Sequence, residues 1–332
     1  MNLLDRVLSR STRLAAPLAG YPGVRLIGKT VKEALEEPAV QLEALEALEG
    51  ELRPDIVFTL LDPTVEAEAL GLEVEIGEGG PPSLAEQELP KLERFYELDL
   101  PDPESAARMP LFLAVAEGLA VGEDRIRGAY CTGPLTLLAQ LLGREVLMER
   151  VKRGEPLHDP LGFTTAVVGG YAAALAARVD VVMVVDPAAE MLSAPEYRSL
   201  YRPYMSGLAG IVRASGAICL TQVGGNAAHL LDELSLCGAE GVCLGAKIDL
   251  PREAQRLPAN LVLMGNIDPL RVMQRGTDED VRWEVRQLLR RMDRARNFIL
   301  STGGDVPVDT PLRNLAAMME EARNWRSRAG ML

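Results

Sequence analysis

The chain has 332 residues, of which 48% are hydrophobic and 25% are charged, and its formal net charge at pH 7 is −13. This composition provides enough apolar side chain for a buried core, and it excludes a disordered protein. The acidic balance, without any block of basic residues, argues against a nucleic-acid partner, because phosphate binding depends on clustered Lys and Arg.

Charged side chains interrupt both stretches that could be taken for membrane or targeting segments. Asp5 and three arginines fall in the first thirteen residues, so a signal peptide is not predicted. The most apolar region, 165–185, is broken by two glycines, Arg178 and Asp180, which argues against a membrane span. We therefore expect a cytoplasmic protein that has no contact with a membrane.

Segments with the three- and four-residue spacing of helices alternate with short, apolar, β-branched segments that predict strands. In chain order they are a helix at 30–52, a strand at 55–62, a helix at 104–120, a strand at 126–133, a helix at 134–151, a strand at 179–186, a helix at 196–216, strands at 217–224, 241–249 and 261–268, a helix at 279–296, a strand at 297–304 and a helix at 310–325. Apolar strands that alternate with helices indicate parallel strands buried on both faces.

Polar residues fall at the carboxyl ends of these strands, which favours a barrel over an open sheet. No G-x-G-x-x-G follows the first strand and no P-loop is present, so the main signals of a nucleotide-binding sheet are missing. The strand ends carry Asp62, Asp186, Gln222, Asn266 and Asp305. A (β/α)8 barrel gathers its chemistry on that face. We predict an α/β fold: a single-domain (β/α)8 TIM barrel over 1–332, with an N-terminal helical and loop extension at 1–54 and the barrel at 55–326.

The cysteines give no indication of a metal site. They occur singly, without a C-x-x-C pair or a histidine at ligand spacing, and each lies in or beside an apolar stretch. They are Cys131, Cys219, Cys237 and Cys243. We therefore predict buried free thiols.

A series of motifs extends, in order, over nearly the whole chain. They are LLDPTVEAEALGLEV (60–74), YCTGPLTLLAQLLG (130–143), DVVMVVDPAAEMLSAPEYRSLYRPYM (180–205), LTQVGGN (220–226), LVLMGNIDP (261–269) and FILSTGGDVPVDTPLRNLAAM (298–318). They resemble the uroporphyrinogen decarboxylase superfamily, in which decarboxylases and cobalamin-dependent methyltransferases share one barrel. The first and last motifs, with the opening PLAGYPGVRLIG, look closer to the methyltransferase branch. This resemblance implies transfer of a methyl group between a corrinoid (cobalamin) protein and a small substrate, and a homodimer is common in the family.

The resemblance also identifies the positions at which a zinc site would stand. Methyltransferases with a thiol acceptor hold zinc through a His-x-Cys pair ahead of a G-N and a Cys in a later G-C pair. The matching positions are Gln222, Gly224 and Gly304, and none of these supplies a zinc ligand. The resemblance therefore implies a zinc-independent methyltransferase in one-carbon metabolism. The chain has no D-x-H-x-x-G cobalamin signature, so the corrinoid is expected on a separate partner protein.

A decarboxylase-like lyase that acts on a tetrapyrrole or another carboxylate is the alternative that the resemblance leaves open. Asp62 matches the decarboxylase aspartate, but Gln140 stands at the tyrosine position and Gly304 at the histidine position. Of the basic loop that holds substrate carboxylates, only Arg13 and Arg25 are candidates. A strand-end face rich in Asp and Glu also disfavours a polycarboxylate substrate. A third possibility is a barrel changed to an unrelated reaction or to binding alone.

A methyl group that is already activated, as in a quaternary or protonated amine, requires carboxylates and an aromatic face rather than a metal. Tetrahydrofolate as the acceptor would require an acid or an amide. The predicted catalytic residues are Asp62, Asp186, Gln222 and Asp305, and the predicted substrate-binding residues are Glu66, Glu190, Asn226, Gln140 and Asn266. Helix capping or turn formation is the competing interpretation for the three aspartates, and a solvated helix face is the competing interpretation for Glu66. Asn266, in the GNIDP motif, is also predicted to shape its loop.

Overall fold

Seven parallel strands form one curled sheet in the computed structural model, which describes residues 2–77, 79–87 and 98–326. In chain order, these seven strands and a separate pair (β2 and β3) are β1 (Ile56–Phe58), β2 (Val74–Glu75), β3 (Ser83–Leu84), β4 (Ile126–Thr132), β5 (Val181–Val185), β6 (Ile218–Val223), β7 (Gly241–Leu244), β8 (Val262–Ile267) and β9 (Phe298–Thr302). The order in the sheet is β1-β4-β5-β6-β7-β8-β9, and β2 and β3 form a separate antiparallel pair. The predicted α/β class and parallel sheet are therefore confirmed.

Helices precede the sheet and connect its strands, as parallel neighbours require. They are α1 (Leu3–Ser9), α2 (Gly20–Leu26), α3 (Val31–Glu36), α4 (Pro38–Leu52), α5 (Val65–Ala69), α6 (Met109–Gly118), α7 (Pro134–Leu142), α8 (Arg144–Arg153), α9 (His158–Ala176), α10 (Ala194–Glu196), α11 (Arg202–Ala214), α12 (Leu231–Leu234), α13 (Leu250–Glu253), α14 (Asp278–Arg291) and α15 (Leu312–Asn324). In the described ranges, none of the helices combines the length and the apolar character needed to cross a bilayer.

Two predicted helices are each divided into two by a single residue. The helix predicted at 30–52 is interrupted before Pro38, because proline lacks an N–H and holds the preceding Glu37 in an extended conformation, with φ −127° and ψ 110°. The helix predicted at 134–151 is interrupted at Gly143, whose φ is +84°. Glycine occupies such a conformation without the steric cost of a Cβ.

A short N-terminal segment joins the two edges of the seven-stranded sheet. The N–H of Ala16 donates to the carbonyl of Leu300 in β9, and the N–H of Leu300 donates to the carbonyl of Leu14, both at 2.9 Å. On the other side, the N–H of Asp55 donates to the carbonyl of Ala15, also at 2.9 Å. A regular eighth strand is not present among the described residues, and this single bridge lies in the segment predicted as an extension.

The sheet is buried on both faces, as its continuous apolar strands predicted. Alternate side chains fill the inside of the curled sheet, among them Phe58, Tyr130, Met183, Leu220, Cys243, Met264 and Ile299. The intervening side chains pack against the surrounding helices, among them Cys131, Val182, Val184, Cys219, Leu263 and Leu300. All four cysteines are free and buried, which confirms their predicted state.

Candidate active site

The carboxyl ends of the parallel strands lie together at one end of the curled sheet, and the polar residues singled out in the sequence lie at or just after those ends. We call this end face the mouth; it comprises the last residues of strands and the segments that follow them, at 59–64, 133–134, 186–190, 222–226, 266–268 and 303–305. In α/β barrels this is the face that carries the chemistry.

Gln222 brings an unpaired amide oxygen to the inner side of the mouth. In β6 it lies two residues after Leu220, which belongs to the inner core, and side chains of a strand alternate between faces. The residue is 6% exposed, and its Oε1 has no hydrogen-bond partner among the described residues. A buried oxygen without a donor is unfavourable, which makes this amide a candidate ligand contact.

The glycine turn after β6 rests on Glu190. Gly225 has a φ of +63°, and a Cβ at this position would lie 1.9 Å from Oε2 of Glu190, so the turn requires glycine. The N–H of Asn226 donates to Oε1 of Glu190 at 2.7 Å, whereas the Asn226 residue itself is exposed. Glu190 thus holds the backbone of the turn, and Asn226 is free to contact a ligand.

Asp305 lies near two phenols at the mouth. Among the described residues its carboxylate has no side-chain hydrogen-bond partner, and burial raises its pKa well above the usual value. Burial also raises the pKa of Tyr21 and of Tyr130, and the nearby charge of Asp305 adds to both shifts. The hydroxyl of Tyr21 donates to the carbonyl of Leu61 at 2.6 Å.

An aromatic pair lies on the inner side of the sheet. The rings of Phe58 in β1 and Tyr130 in β4 are stacked, with centroids 4.9 Å apart and an interplanar angle of 23°. Tyr130 is 7% exposed. An aromatic face close to the Asp305 carboxyl is the combination that binds organic cations.

Asp62 is held by an arginine that the sequence patterns did not identify. Its Oδ2 accepts from Nη1 of Arg108 at 2.5 Å, and its Oδ1 accepts from the N–H and the hydroxyl of Thr64 at 2.8 and 2.6 Å. Arg108 also donates to Glu68 at 2.7 Å. Asp62 therefore makes both an ion pair and the local turn contact that was its competing interpretation.

Glu66 is fully buried rather than on a solvated helix face. Its Oε1 accepts from the N–H of Thr132 at 2.6 Å, whereas its Oε2 has no hydrogen-bond partner within the described ranges. Burial raises the pKa of Glu66 to about 7, although the hydrogen bond from Thr132 opposes that shift. The structure thus places a carboxyl that titrates near neutral pH directly behind the end of β4.

Asp186 is buried in a network that fixes the start of α7. Its Oδ1 accepts from the N–H and the hydroxyl of Thr136 at 2.9 and 2.5 Å, and its Oδ2 accepts from the hydroxyl of Tyr201. The Thr136 hydroxyl in turn accepts from the N–H of Ala188 at 3.0 Å. Burial raises the pKa of Asp186 while these bonds oppose the shift. Both oxygens are engaged, so the contacts observed are those of a positioning residue.

Gln140 lines a cavity of about 410 Å³ between α7 and the segment that follows β5. Its Nε2 donates to the carbonyl of Pro63 at 2.8 Å, and no described residue donates to its Oε1. The other lining residues are Leu84, Ala85, Glu86, Gln87, Thr136, Ala139, Gly143, Arg144, Pro187 and Ala188. The cavity therefore combines a largely apolar wall with one unpaired amide oxygen, as small-molecule sites commonly do.

Asn266 and Arg13 make structural contacts. Nδ2 of Asn266 donates to the carbonyls of Gly245 at 3.0 Å and Ile248 at 2.7 Å, so the side chain holds the loop after β7. Arg13 lies away from the mouth, because its guanidinium donates to the carbonyls of Met292 and Ala295 just beyond α14, at 2.9 and 2.8 Å. Arg13 is thus not available as a substrate ligand at the mouth.

The donor set at the mouth does not fit zinc. Gln222, Gly224 and Gly304 provide neither a thiolate nor an imidazole. Burial raises the pKa of Cys243, on the inner face of β7, to about 12. Within residues 2–77, 79–87 and 98–326, no three His, Cys, Asp or Glu side chains are grouped so that they could hold a metal ion.

Known proteins resemble this chain over most of its length. The model of the family described as uroporphyrinogen decarboxylase (URO-D) matches residues 16–325. A protein of Methanosarcina mazei named methylcobamide:CoM methyltransferase MtbA is 25% identical over 277 residues, which cover 80% of this chain and 78% of the relative. A uroporphyrinogen decarboxylase of Methylococcus capsulatus is 27% identical over 287 residues, or 82% and 80% of the two chains. The solved structure of a methyltransferase from Methanosarcina mazei matches the fold with a TM-score of 0.87, at 21% identity and over 96% of each chain.

Proposed function

The chain belongs to the uroporphyrinogen decarboxylase (URO-D) family, and on that premise we propose that it is a methyltransferase that moves a methyl group between a corrinoid carrier protein and a small substrate without using zinc. Relatives named methylcobamide:CoM methyltransferase support the reaction class. The zinc-independent part of this proposal rests on the residues found at the mouth. The mouth has Gln222, Gly224 and Gly304 at the positions where the family's thiol-activating enzymes have zinc ligands, and the Asp305 carboxyl directly follows the last of these positions.

The proposal also covers the assembly in which the reaction takes place. The bridge at 14–16 supports a closed ring, with that segment in the place of an eighth strand. The corrinoid would be supplied by a separate binding protein at the mouth, as part of one-carbon metabolism in the cytoplasm. We also propose that the barrel forms a homodimer.

Asp305 is the residue that we assign to the substrate. Burial raises the pKa of the Asp305 carboxyl well above its usual value and so favours the protonated form, which can give its proton to a substrate nitrogen as the methyl group leaves. Once ionised, the same carboxyl can hold a cationic substrate against the ring of Tyr130. The corrinoid, when bound, supplies the methyl-accepting or methyl-donating metal centre. This chain would place the substrate and control its proton.

The remaining predicted residues fall into two proposed roles. Gln222, Gln140 and Asn226 would bind the polar part of the substrate, because each retains an unpaired group or an exposed side chain. Asp62, Glu66, Asp186, Glu190 and Asn266 would position the segments of the mouth through the hydrogen bonds described above.

The proposal is tested by following the absorbance spectrum of methylcobalamin or cob(I)alamin in the presence of the purified protein. The panel of second substrates contains quaternary and protonated amines, phenyl ethers and tetrahydrofolate. We expect one member to change the spectrum, and Asp305→Asn to slow that change on the order of 100-fold because the transferable proton is lost. Asp232→Asn removes an exposed carboxylate on α12 and serves as the matched control. A spectrum that no member of the panel changes would contradict the proposal.

A further inference from the structure

A second cavity, of about 650 Å³, lies beside the mouth. We call it the rim cavity; it is lined by Pro22, Arg25, Leu26, Asp309, Thr310, Pro311, Leu312 and Arg313. The two segments that form it also reach the mouth, because Tyr21 of α2 donates to the carbonyl of Leu61 and the segment after β9 carries Asp305. The rim cavity and the mouth are therefore formed by adjoining residues of the same two segments.

The rim cavity contains two arginines that are not neutralised by carboxylates. In the ranges that the structure describes, no Asp or Glu lies within ion-pair distance of Arg25 or Arg313, although the net charge of the chain is −13. Among the described residues, Arg25 makes one hydrogen bond, a long one from Nη1 to the carbonyl of Asp309 at 3.5 Å. The carboxylate of Asp309 is itself engaged, since its Oδ1 accepts from Gln274 at 2.8 Å.

The N-terminus of α15 opens on the same cavity. This helix has 13 residues, begins after Pro311 and has no side-chain cap. The N–H of Asn314 donates to the carbonyl of Pro311 at 2.9 Å, which leaves the N–H groups of Leu312 and Arg313 without a capping partner among the described residues. Such an N-terminus carries a partial positive charge that favours anions.

Thr310 provides independent evidence for a ligand. It is 4% exposed and lines the cavity, yet its hydroxyl has no hydrogen-bond partner in the part of the chain that the structure describes. A buried hydroxyl without a partner destabilises the fold, and a bound oxyanion would satisfy it.

We propose that the rim cavity binds an oxyanion, namely a phosphate or carboxylate group, through Arg25, Arg313, the Thr310 hydroxyl and the N-terminus of α15. Guanidinium groups match the oxygens of these anions with charge-assisted hydrogen bonds. The further assignment, that the anion is the tail of the methyl-transfer substrate, rests on the proposed function. Binding of the anion itself does not depend on it.

The experiment is isothermal titration calorimetry of the full chain with inorganic phosphate and, separately, with acetate, at low ionic strength in a chloride buffer. We expect saturable binding of at least one anion. Arg25→Gln and Arg313→Gln should each weaken it on the order of tenfold, because each removes a charged donor. Arg290→Gln, at the end of α14 and outside the cavity, removes the same charge and should leave binding unchanged.

The Thr310→Val variant distinguishes a hydroxyl that contacts the bound anion from one that has only a structural role. The proposal predicts weaker anion binding, whereas a role in the fold alone predicts a higher melting temperature with binding unchanged. The stronger of phosphate and acetate identifies the anion. Absence of binding by both, or binding that is unaltered in both arginine variants, overturns the proposal. Because no corrinoid is present, this result is independent of whether methyl transfer is observed.

Discussion

Replacing Glu66 by Gln should stabilise the protein at high pH and have little effect at low pH. The change keeps the shape of the side chain, and the amide oxygen can still accept the hydrogen bond from the N–H of Thr132. It removes the ionisation of a carboxyl that is fully buried and has no cation as a partner among the described residues. The expected effect therefore comes from the proton and not from lost packing.

The size and sign of the effect follow from the pKa of Glu66. Below its ordinary value of 4.5, the folded and unfolded chains both hold the proton. Between pH 4.5 and about 7, only the unfolded chain releases it, so the free energy of unfolding falls as the pH rises. At about 1.4 kcal/mol per pH unit, the total loss is about 3 kcal/mol. Glu66→Gln avoids this loss, and its advantage over wild type should grow by about 2.5 kcal/mol between pH 5 and pH 8.

Urea unfolding, followed by circular dichroism at both pH values, measures this difference directly. Glu75→Gln, which neutralises an exposed carboxylate in β2, is the matched control and should show no such growth. If the free-energy difference between Glu66→Gln and wild type is the same at pH 5 and pH 8, Glu66 does not titrate as its burial implies. The reasoning would then be refuted.

Two further variants test the contacts that position the mouth. Tyr201→Phe leaves Oδ2 of the buried Asp186 without its donor, and we expect the free energy of unfolding to fall by about 1–3 kcal/mol in urea titrations; an unchanged value would show that the hydroxyl is dispensable. Gly225→Ala introduces a Cβ at positive φ and against Glu190, and it should cost at least about 1–2 kcal/mol. The melting temperature of the double variant Gly225→Ala/Glu190→Ala should recover part of that loss, and no recovery would contradict the assigned contact.

The parallel sheet could be predicted from the sequence because its signals are local. Each of its strands is a short apolar run next to a helical segment or a turn, and parallel strands place their carboxyl ends together in any arrangement of this type. The bridge at 14–16 could not be predicted, because three residues are too few to show the alternating pattern of a strand. Pro38 and Gly143 are residue types that interrupt helices. The helical spacing of apolar residues nevertheless continues on both sides of each, and it predicts one continuous helix in each case.

The residues of the candidate site could be predicted from the sequence, but the contacts that these residues make could not. Asp62 and Arg108 are 46 residues apart, so their ion pair depends on tertiary structure that no local pattern encodes. Glu66 lies in a five-residue helix, which is too short to show a buried face through periodicity, and Glu68 two residues further on suggested a solvated face. Helix capping is an interpretation that the sequence suggests for Asp186. The contact with its partner Tyr201 could not be predicted, because Tyr201 belongs to a π-helical segment that the spacing of apolar residues does not distinguish from an ordinary helix.

The most direct test of zinc-independent methyl transfer is to compare the rate of change of the cobalamin spectrum before and after treatment with a strong zinc chelator. The metal content of each sample is measured in parallel. We expect an unchanged rate and zinc far below one ion per chain, because Gln222, Gly224 and Gly304 supply no zinc ligand. A rate that is lost with the chelator and restored by added zinc would contradict the proposal.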